Sequence, residues 1–219
     1  CVCAATGYGT VYAGTGQSDR HAEPGLALFI AEVRSVRSSP QYLSPQLVRT
    51  DGGSAFVASG FRGFCNVQHQ ARHSVAAPYT PDANSFVERL WQSRFGTARV
   101  LLSSANLSAR FHVHAVRTAN WLHNRLPSMH RGGKSPYELM SGQRPDMRHL
   151  RAFGCAAAVW KDPAQRDGRK GYKKLTADHA DFGMYLGPSE EHPGHVVYLP
   201  RTNRVVTSAY VDFDESTFR

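Results

Sequence analysis

Long apolar runs are absent from this sequence, which has no stretch of eighteen or more consecutive apolar residues and so nothing of the length that spans a membrane. A positively charged, apolar start of the secretory kind is also missing. Cysteine is scarce: four residues are scattered over 219 positions without a C-x-x-C pair, so neither a zinc site nor a disulfide framework is indicated. We therefore predict an intracellular protein, nuclear or cytoplasmic, that is not secreted and has no membrane partner.

Acidic residues are outnumbered, with 17 Asp and Glu against 26 Lys and Arg, which gives a formal net charge of +9. The excess is uneven: residues 1–125 hold 12 basic and 6 acidic side chains, and residues 148–174 hold 8 and 2. Residues 175–219 reverse the balance, with 3 basic and 7 acidic side chains. A basic body of this kind attracts a polyanion such as nucleic acid. A solvated basic face without a partner is the alternative interpretation.

The apolar pattern predicts a mixed α/β region followed by a small β-rich region. Strands are predicted at residues 1–13, 46–51 and 71–77, and helices at residues 24–36, 59–70, 85–102 and 108–127. After a linker rich in glycine and proline, short strand-like pieces separated by turn residues are typical of a small β-domain. We predict three parts: a core over residues 1–126, a linker over 127–150 and a β-rich module over 151–219. The aromatic residues on the helical stripes are predicted to fill the core, namely Trp91, Phe95, Phe111 and Trp121.

Two carboxylates stand at positions that suit metal-dependent phosphoryl transfer. Such chemistry needs metal ions held by hard oxygen ligands from rigid elements. Asp51 follows a predicted strand and Glu88 lies in the first turn of a predicted helix, so they converge if that helix packs on the sheet. Arg49 and Arg89 lie beside them and suit a phosphate partner.

Each carboxylate also has an ordinary structural interpretation. Asp51 precedes Gly-Gly, which is a common turn sequence. Glu88 stands three residues after Ser85, so the pair fits a capping box at the start of the helix. Residue types and spacing alone leave both interpretations open.

The sequence around these residues resembles that of the integrase of Ty1/copia-type retrotransposons. The family carries a stretch like R-S/T-D-N-G-x-E-F, and this chain has "RTDGGSAF"; the family's S-x-P-Y-T-P-x-x-N-G-x-x-E-R is similar to "SVAAPYTPDANSFVER". Further along, "SPYELMSGQRPDMRHLRAFGC" resembles the family's linker motif. "KLTADHADFGMYLG" and "RVVTSAYVDFDE" look like its small carboxy-terminal module. The similarity runs from about residue 1 to the end, in the family's order.

The resemblance implies a fold of the α/β class: an RNase H-like mixed sheet with flanking helices, followed by a small β-rich module of the SH3-like barrel type. It implies DNA integration by a three-carboxylate, two-metal site that uses Mg²⁺ or Mn²⁺. The partners implied are retroelement ends and target DNA, with a possible homo-oligomer.

The same resemblance assigns site residues. Asp51 and Glu88 match the second and third catalytic carboxylates and are the expected metal ligands. Asn84 matches the asparagine of the loop before the glutamate, a region expected to meet DNA, and Tyr79 lies in the same loop. Arg49 and Arg89 complete the expected DNA-binding set.

Several departures from the family weaken the expected site. The segment resembles the family only from its second strand, so the first catalytic aspartate has no counterpart in this chain. Gly52 replaces the usual asparagine, Ala55 the usual glutamate and Ser85 a glycine. We therefore expect a fragment of a longer integrase that is inactive in strand transfer by itself. The alternative is a non-enzymatic relic of a transposon polyprotein that serves DNA binding or assembly.

Overall fold

The computed structural model describes residues 1–13, 19–36, 45–57, 59–76, 85–161, 179–190 and 193–218. The chain forms two compact units. The first comprises residues 1–95 and 120–146, and the second comprises residues 96–119 and 147–219. None of the helices in the described ranges is long and apolar enough to cross a membrane.

The first unit is built on one amphipathic helix, α1 (Asp19–Val36). It begins five residues before Pro24, where the sequence predicted its start, and Pro24 lies inside the helix. Its apolar stripe, with Leu26, Phe29 and Ile30 buried, packs into a core that also contains Tyr8 and Met140. The period of the apolar residues therefore predicted the buried face correctly although the helix start differs.

A short parallel sheet lies in the same unit. Strand β1 (Leu47–Thr50) pairs in parallel with β2 (Arg72–Val75), with Leu47 opposite Arg72 and Thr50 opposite Val75. The connection runs through α2 (Ser54–Val57), α3 (Ser59–Gly63) and a π-helical turn over Phe64–Gln68. Phe61 from this connection is buried, and its ring centroid lies 5.1 Å from that of His73 on β2. Strand β1 thus ends directly before Asp51.

The opening residues do not form the predicted strand over 1–13. They fold as a tight reversal in which the N–H of Cys3 donates to the carbonyl of Tyr8 at 2.7 Å and the N–H of Thr10 donates to that of Cys1 at 3.0 Å. Gly7 has φ +73°, a left-handed conformation that glycine adopts at little cost. A turn at this point excludes a single continuous strand, so the prediction was wrong here.

Two helices, α4 (Ser85–Ser104) and α5 (His112–Arg125), contribute residues to both units. A short helix, α6 (Pro136–Ser141), follows in the region predicted as linker. The Ser135 hydroxyl caps α6 by accepting a hydrogen bond from the N–H of Glu138 at 3.0 Å. The predicted division into residues 1–126, 127–150 and 151–219 stays a prediction.

The second unit contains a five-stranded antiparallel sheet in the order β6-β5-β4-β3-β7. Its strands are β3 (Cys155–Trp160), β4 (Ala180–Pro188), β5 (His195–Leu199), β6 (Arg204–Ser208) and β7 (Val211–Phe218). One set of strand residues, including Met184 and Tyr198, packs with Ala115 of α5 and Phe111 just before it. A second core contains Cys155, Tyr185, Val197 and Leu199. The predicted fold class, α/β followed by a small β-rich module, is confirmed.

The predicted aromatic core is correct only in part. Phe111 is buried, but the side chain of Phe95 is 46% exposed. Trp91 and Trp121 are half-buried. For Phe95 and Trp91 the physical reason lies in α4, where Arg94 takes the buried position together with Ala98.

Candidate metal and nucleic-acid site

Asp51 stands at the carboxyl end of β1 and is exposed. Its Oδ1 accepts a hydrogen bond from the N–H of Gly53 at 3.1 Å. The carbonyl of Gly53 in turn accepts from the N–H groups of Phe56 at 2.9 Å and Val57 at 3.2 Å, which opens α2. The turn role that the sequence left open is therefore observed, and it is local: the side chain of Asp51 closes the step from strand to helix.

Glu88 lies in the first turn of α4 and is exposed. A carboxylate there interacts favourably with the partial positive charge of the helix N-terminus. The flanking cations Arg49, on β1, and Arg89, on α4, are exposed as well. All four side chains belong to the first unit and are free to meet solvent or a ligand. The other two predicted DNA-binding residues, Asn84 and Tyr79, lie outside the described residues.

The donor set for a divalent metal is small. In the described part of the chain, no group of three or more His, Cys, Asp or Glu side chains is arranged to hold a metal ion. No described hydrogen bond or ion pair joins Asp51 to Glu88. Two exposed carboxylates are suitable oxygen ligands for Mg²⁺, but they fall short of a set that fixes two ions. The described residues alone therefore do not fit a two-metal site.

A buried arginine of α4 was missed by the sequence interpretation. Arg94 of α4 is only 1% exposed. Its Nε donates to Oδ1 of Asn120 at 2.8 Å, and its Nη2 donates to the carbonyl of Gly7 at 3.2 Å. Its Nη1 is buried without a hydrogen-bond partner among the described residues. No carboxylate pairs with this guanidinium in the described ranges, which is unusual because buried charges are normally paired.

Two asparagines of α5 complete the network around the opening turn. Asn120 and Asn124 each donate an amide hydrogen bond to the carbonyl of Gly9, at 2.8 Å and 2.7 Å. The N–H of Gly9 donates to Oδ1 of Asn124 at 2.9 Å. Both asparagines are buried at 2% exposure. The network fixes residues 7–9 against α4 and α5 through polar contacts, in addition to the burial of Tyr8 in the apolar core.

The sequence did carry a signal for this network. Leu90, Arg94 and Ala98 recur at steps of four on α4, as Asn120 and Asn124 do on α5. Because a charged residue occupies the centre of the buried stripe, the apolar pattern favours the neighbouring positions Trp91 and Phe95 instead. Accepting Arg94 as the central residue of a buried stripe with Leu90 and Ala98 would have indicated the correct buried face of α4.

Burial and like charges shift the titration of these groups. Burial, with Arg131 as a second cause, lowers the pKa of Arg94 to about 10. Burial and the charge of Arg94 lower the pKa of His123 below its usual range. The hydroxyl of Tyr8 donates to Oε1 of Glu32 at 2.5 Å. Burial raises the pKa of the Glu32 carboxyl, although this hydrogen bond opposes the shift. Burial and neighbouring like charges thus oppose the ionisation of both basic groups, Arg94 and His123.

Comparison with known proteins finds a matching family model and similar proteins. Residues 155–219 match the family described as "Retroviral polymerase SH3-like domain", so an SH3-like domain is present. The chain is 30% identical over 169 residues to the retrovirus-related Pol polyprotein from transposon RE2 of Arabidopsis thaliana. It is also 30% identical over 172 residues to that from transposon TNT 1-94 of Nicotiana tabacum. These matches cover 77% and 78% of this chain but only 11% and 12% of the relatives.

A solved structure supports the fold. A chain of the simian T-cell lymphotropic virus intasome, in complex with PP2A regulatory subunit B56 gamma, superposes with a TM-score of 0.52 at 18% identity. The match covers 95% of this chain and 68% of that one. The class is thus an α/β unit with an SH3-like module. The chain itself is a homologue of the Pol polyproteins of copia-type plant retrotransposons, and the resemblance predicted from its motifs is confirmed.

Proposed function

We propose that this chain is the integrase-derived part of a retrotransposon Pol polyprotein and that the intact protein integrates DNA by two-metal phosphoryl transfer. The observation that carries the proposal is the homology to plant Pol polyproteins over 77% of the chain. The integrase-like fold and the SH3-like module agree with it. Because the chain spans about a tenth of the relatives' length, the activity is proposed for the longer protein and not for this segment.

Asp51 and Glu88 are the proposed second and third metal-binding carboxylates. Divalent ions held by these carboxylates together with ligands of the longer protein would supply Lewis-acid chemistry at a phosphate ester. The contribution of this chain is positional: β1 holds Asp51 at its carboxyl end, and α4 presents Glu88 in its first turn. The exposed Arg49 and Arg89 would orient a DNA phosphate beside these carboxylates.

The proposed activity of the chain alone is DNA binding without strand transfer. The purified chain should bind a DNA duplex at low ionic strength, and its affinity should fall steeply as salt rises, because phosphate contacts release counterions. Binding that is independent of salt, or no binding at low salt, would contradict a basic DNA-binding surface. Joining of DNA ends by this chain in Mg²⁺ or Mn²⁺ would overturn its proposed inactivity, provided that Glu88→Gln abolishes the joining.

The second candidate is a relic that serves only DNA binding or assembly. The observation that favours it is the turn role of Asp51, together with Gly52 and Ala55 at positions where the family carries asparagine and glutamate. The coding sequence immediately upstream separates the candidates. An in-frame strand that carries an aspartate would support the integrase, whereas a stop codon or unrelated sequence would support the relic.

A further inference from the structure

An aromatic pair lies on the exposed side of α4, where the sequence predicted core. The ring centroids of Trp91 and Phe95 are 5.7 Å apart, with their planes inclined by 36°. Phe95 is 46% exposed, and Trp91 is half-buried. Residues three, four and seven positions apart share a helix face, so the pair follows Glu88 along one side of α4. At a rise of about 1.5 Å per residue, Trp91 lies roughly 4.5 Å along the helix axis from Glu88.

The charge behind the pair is positive. The guanidinium carbon of Arg94 lies 5.5 Å from the ring centroid of Trp91. This cation is buried, and no carboxylate in the described part of the chain neutralises it. Helix α4 carries three arginines, Arg89, Arg94 and Arg99, against a single acidic residue, Glu88. This side of α4 therefore combines exposed aromatic rings with nearby arginine charges. The rings suit the bases of a nucleic acid strand, and the charges suit its phosphates.

We propose that Trp91 and Phe95 form a stacking platform for the unpaired bases of a DNA end, held next to Glu88. Stacking on aromatic side chains needs a free base face, which a closed duplex offers only at its terminus, so the platform prefers single-stranded tails over internal duplex. The inference rests on the proposed DNA-binding function and deepens it by naming the form of DNA. It also explains why two large aromatic side chains remain on the exposed side of this helix.

The test compares three labelled DNA probes by fluorescence anisotropy: a blunt duplex, the same duplex with a three-nucleotide 3′ tail, and the tail strand alone. The wild-type chain should bind the tailed duplex more tightly than the blunt one. Phe95→Ser and Trp91→Ala should each remove that preference, lowering affinity for the tailed probe about tenfold while blunt-duplex affinity changes little. Val100→Ala, an exposed change on the same helix, is the matched control and should behave as wild type.

The outcomes distinguish this inference from the function on which it rests. If the wild-type chain binds none of the probes at low salt, the proposed DNA binding fails and the platform fails with it. If it binds blunt and tailed duplex equally, and Phe95→Ser changes neither, DNA binding stands and the platform is overturned. If Phe95→Ser instead changes the sedimentation coefficient and leaves DNA affinity intact, the pair is a protein interface, which also overturns the proposal. Because Phe95 is exposed, its variant keeps the test valid should Trp91→Ala fail to fold, as thermal unfolding will report.

Discussion

The Asp51 carboxylate accepts a hydrogen bond from the backbone N–H of Gly53 at 3.1 Å, immediately after β1 ends. One oxygen of the candidate metal ligand is thus already used to turn the chain. The side chain remains exposed, so its other oxygen is accessible to a ligand. The structural and the catalytic interpretation of Asp51 are therefore compatible, and they can be separated by substitution.

The first prediction concerns Asp51→Asn and Asp51→Ala. Asparagine keeps an acceptor for the N–H of Gly53, so it should cost little stability, whereas alanine should lower the free energy of unfolding by about 1 kcal/mol. Both changes remove the charge and should weaken divalent-ion binding equally. Urea denaturation measures the first effect, and calorimetric titration with Mn²⁺ measures the second. If both variants retain the wild-type affinity for Mn²⁺, Asp51 is a turn residue and no ligand.

The second prediction concerns the buried guanidinium of Arg94. Asn120→Ala removes the acceptor of its Nε and leaves a buried charge with one hydrogen bond fewer. We expect a loss of about 3 kcal/mol in unfolding free energy, because breaking one contact of a buried charge leaves it uncompensated. Gln92→Ala, which removes an exposed amide on α4, is the control and should change stability by less than about 0.5 kcal/mol. Equal losses in the two variants would show that the network contributes nothing.

The third prediction concerns two glycines with similar backbone conformations but different surroundings. Gly154 has φ +84°, and a Cβ there would lie 2.3 Å from Cβ of the buried Ala105. Gly132 has φ +62° with nothing within 4 Å of the same position. Gly132→Ala should therefore cost only backbone strain, about 1 kcal/mol. Gly154→Ala should cost about 2 kcal/mol more, because it also overpacks the core.

Thermal and urea unfolding of the two glycine variants measure this difference. Both substitutions add the same methyl group in a left-handed conformation, so the difference between them isolates the steric contact with Ala105. A Gly154→Ala variant as stable as Gly132→Ala would show that the segment before β3 can shift to accept a side chain.

The fold class could be predicted from the sequence because its apolar pattern is regular where packing decides the structure. On α1, Leu26, Phe29 and Ile30 are buried as their spacing indicates. The opening segment could not be predicted in this way. Its Val and Tyr residues favour a strand, but the fold reverses at Gly7, and polar contacts from Asn120 and Asn124, more than a hundred residues away, fix it there. Contacts so distant in sequence leave no pattern within the opening segment itself.

The candidate site was predictable only as a resemblance. Spacing alone could not choose between metal binding and a structural role for Asp51 and Glu88. The structure shows that Asp51 closes a turn, and its second carboxylate oxygen can still bind a ligand. Arg94 was missed because burial of an arginine is rare and needs specific partners. Its burial also explains why Trp91 and Phe95 were assigned to the wrong side of α4.

The last prediction concerns the pH dependence of the β-rich module. His195 begins β5, and its ring centroid lies 4.8 Å from that of Phe213 and 5.6 Å from that of Tyr185. Its Nδ1 is buried without a described partner. Burial, with the charges of Arg151 and His149, lowers the pKa of His195 below its usual range.

As pH falls, His195 is therefore protonated at a higher pH in the unfolded chain than in the folded chain. Stability should fall as pH drops below about 6.5 and stop falling once the folded form is protonated as well. His195→Gln should reduce the loss of unfolding free energy between pH 7 and pH 5, whereas His130→Gln, an exposed change, should leave it as in the wild type. Urea denaturation at pH 5, 6 and 7 gives the comparison. Parallel pH profiles for wild type and His195→Gln would show that the ring is protonated without cost in its aromatic surroundings.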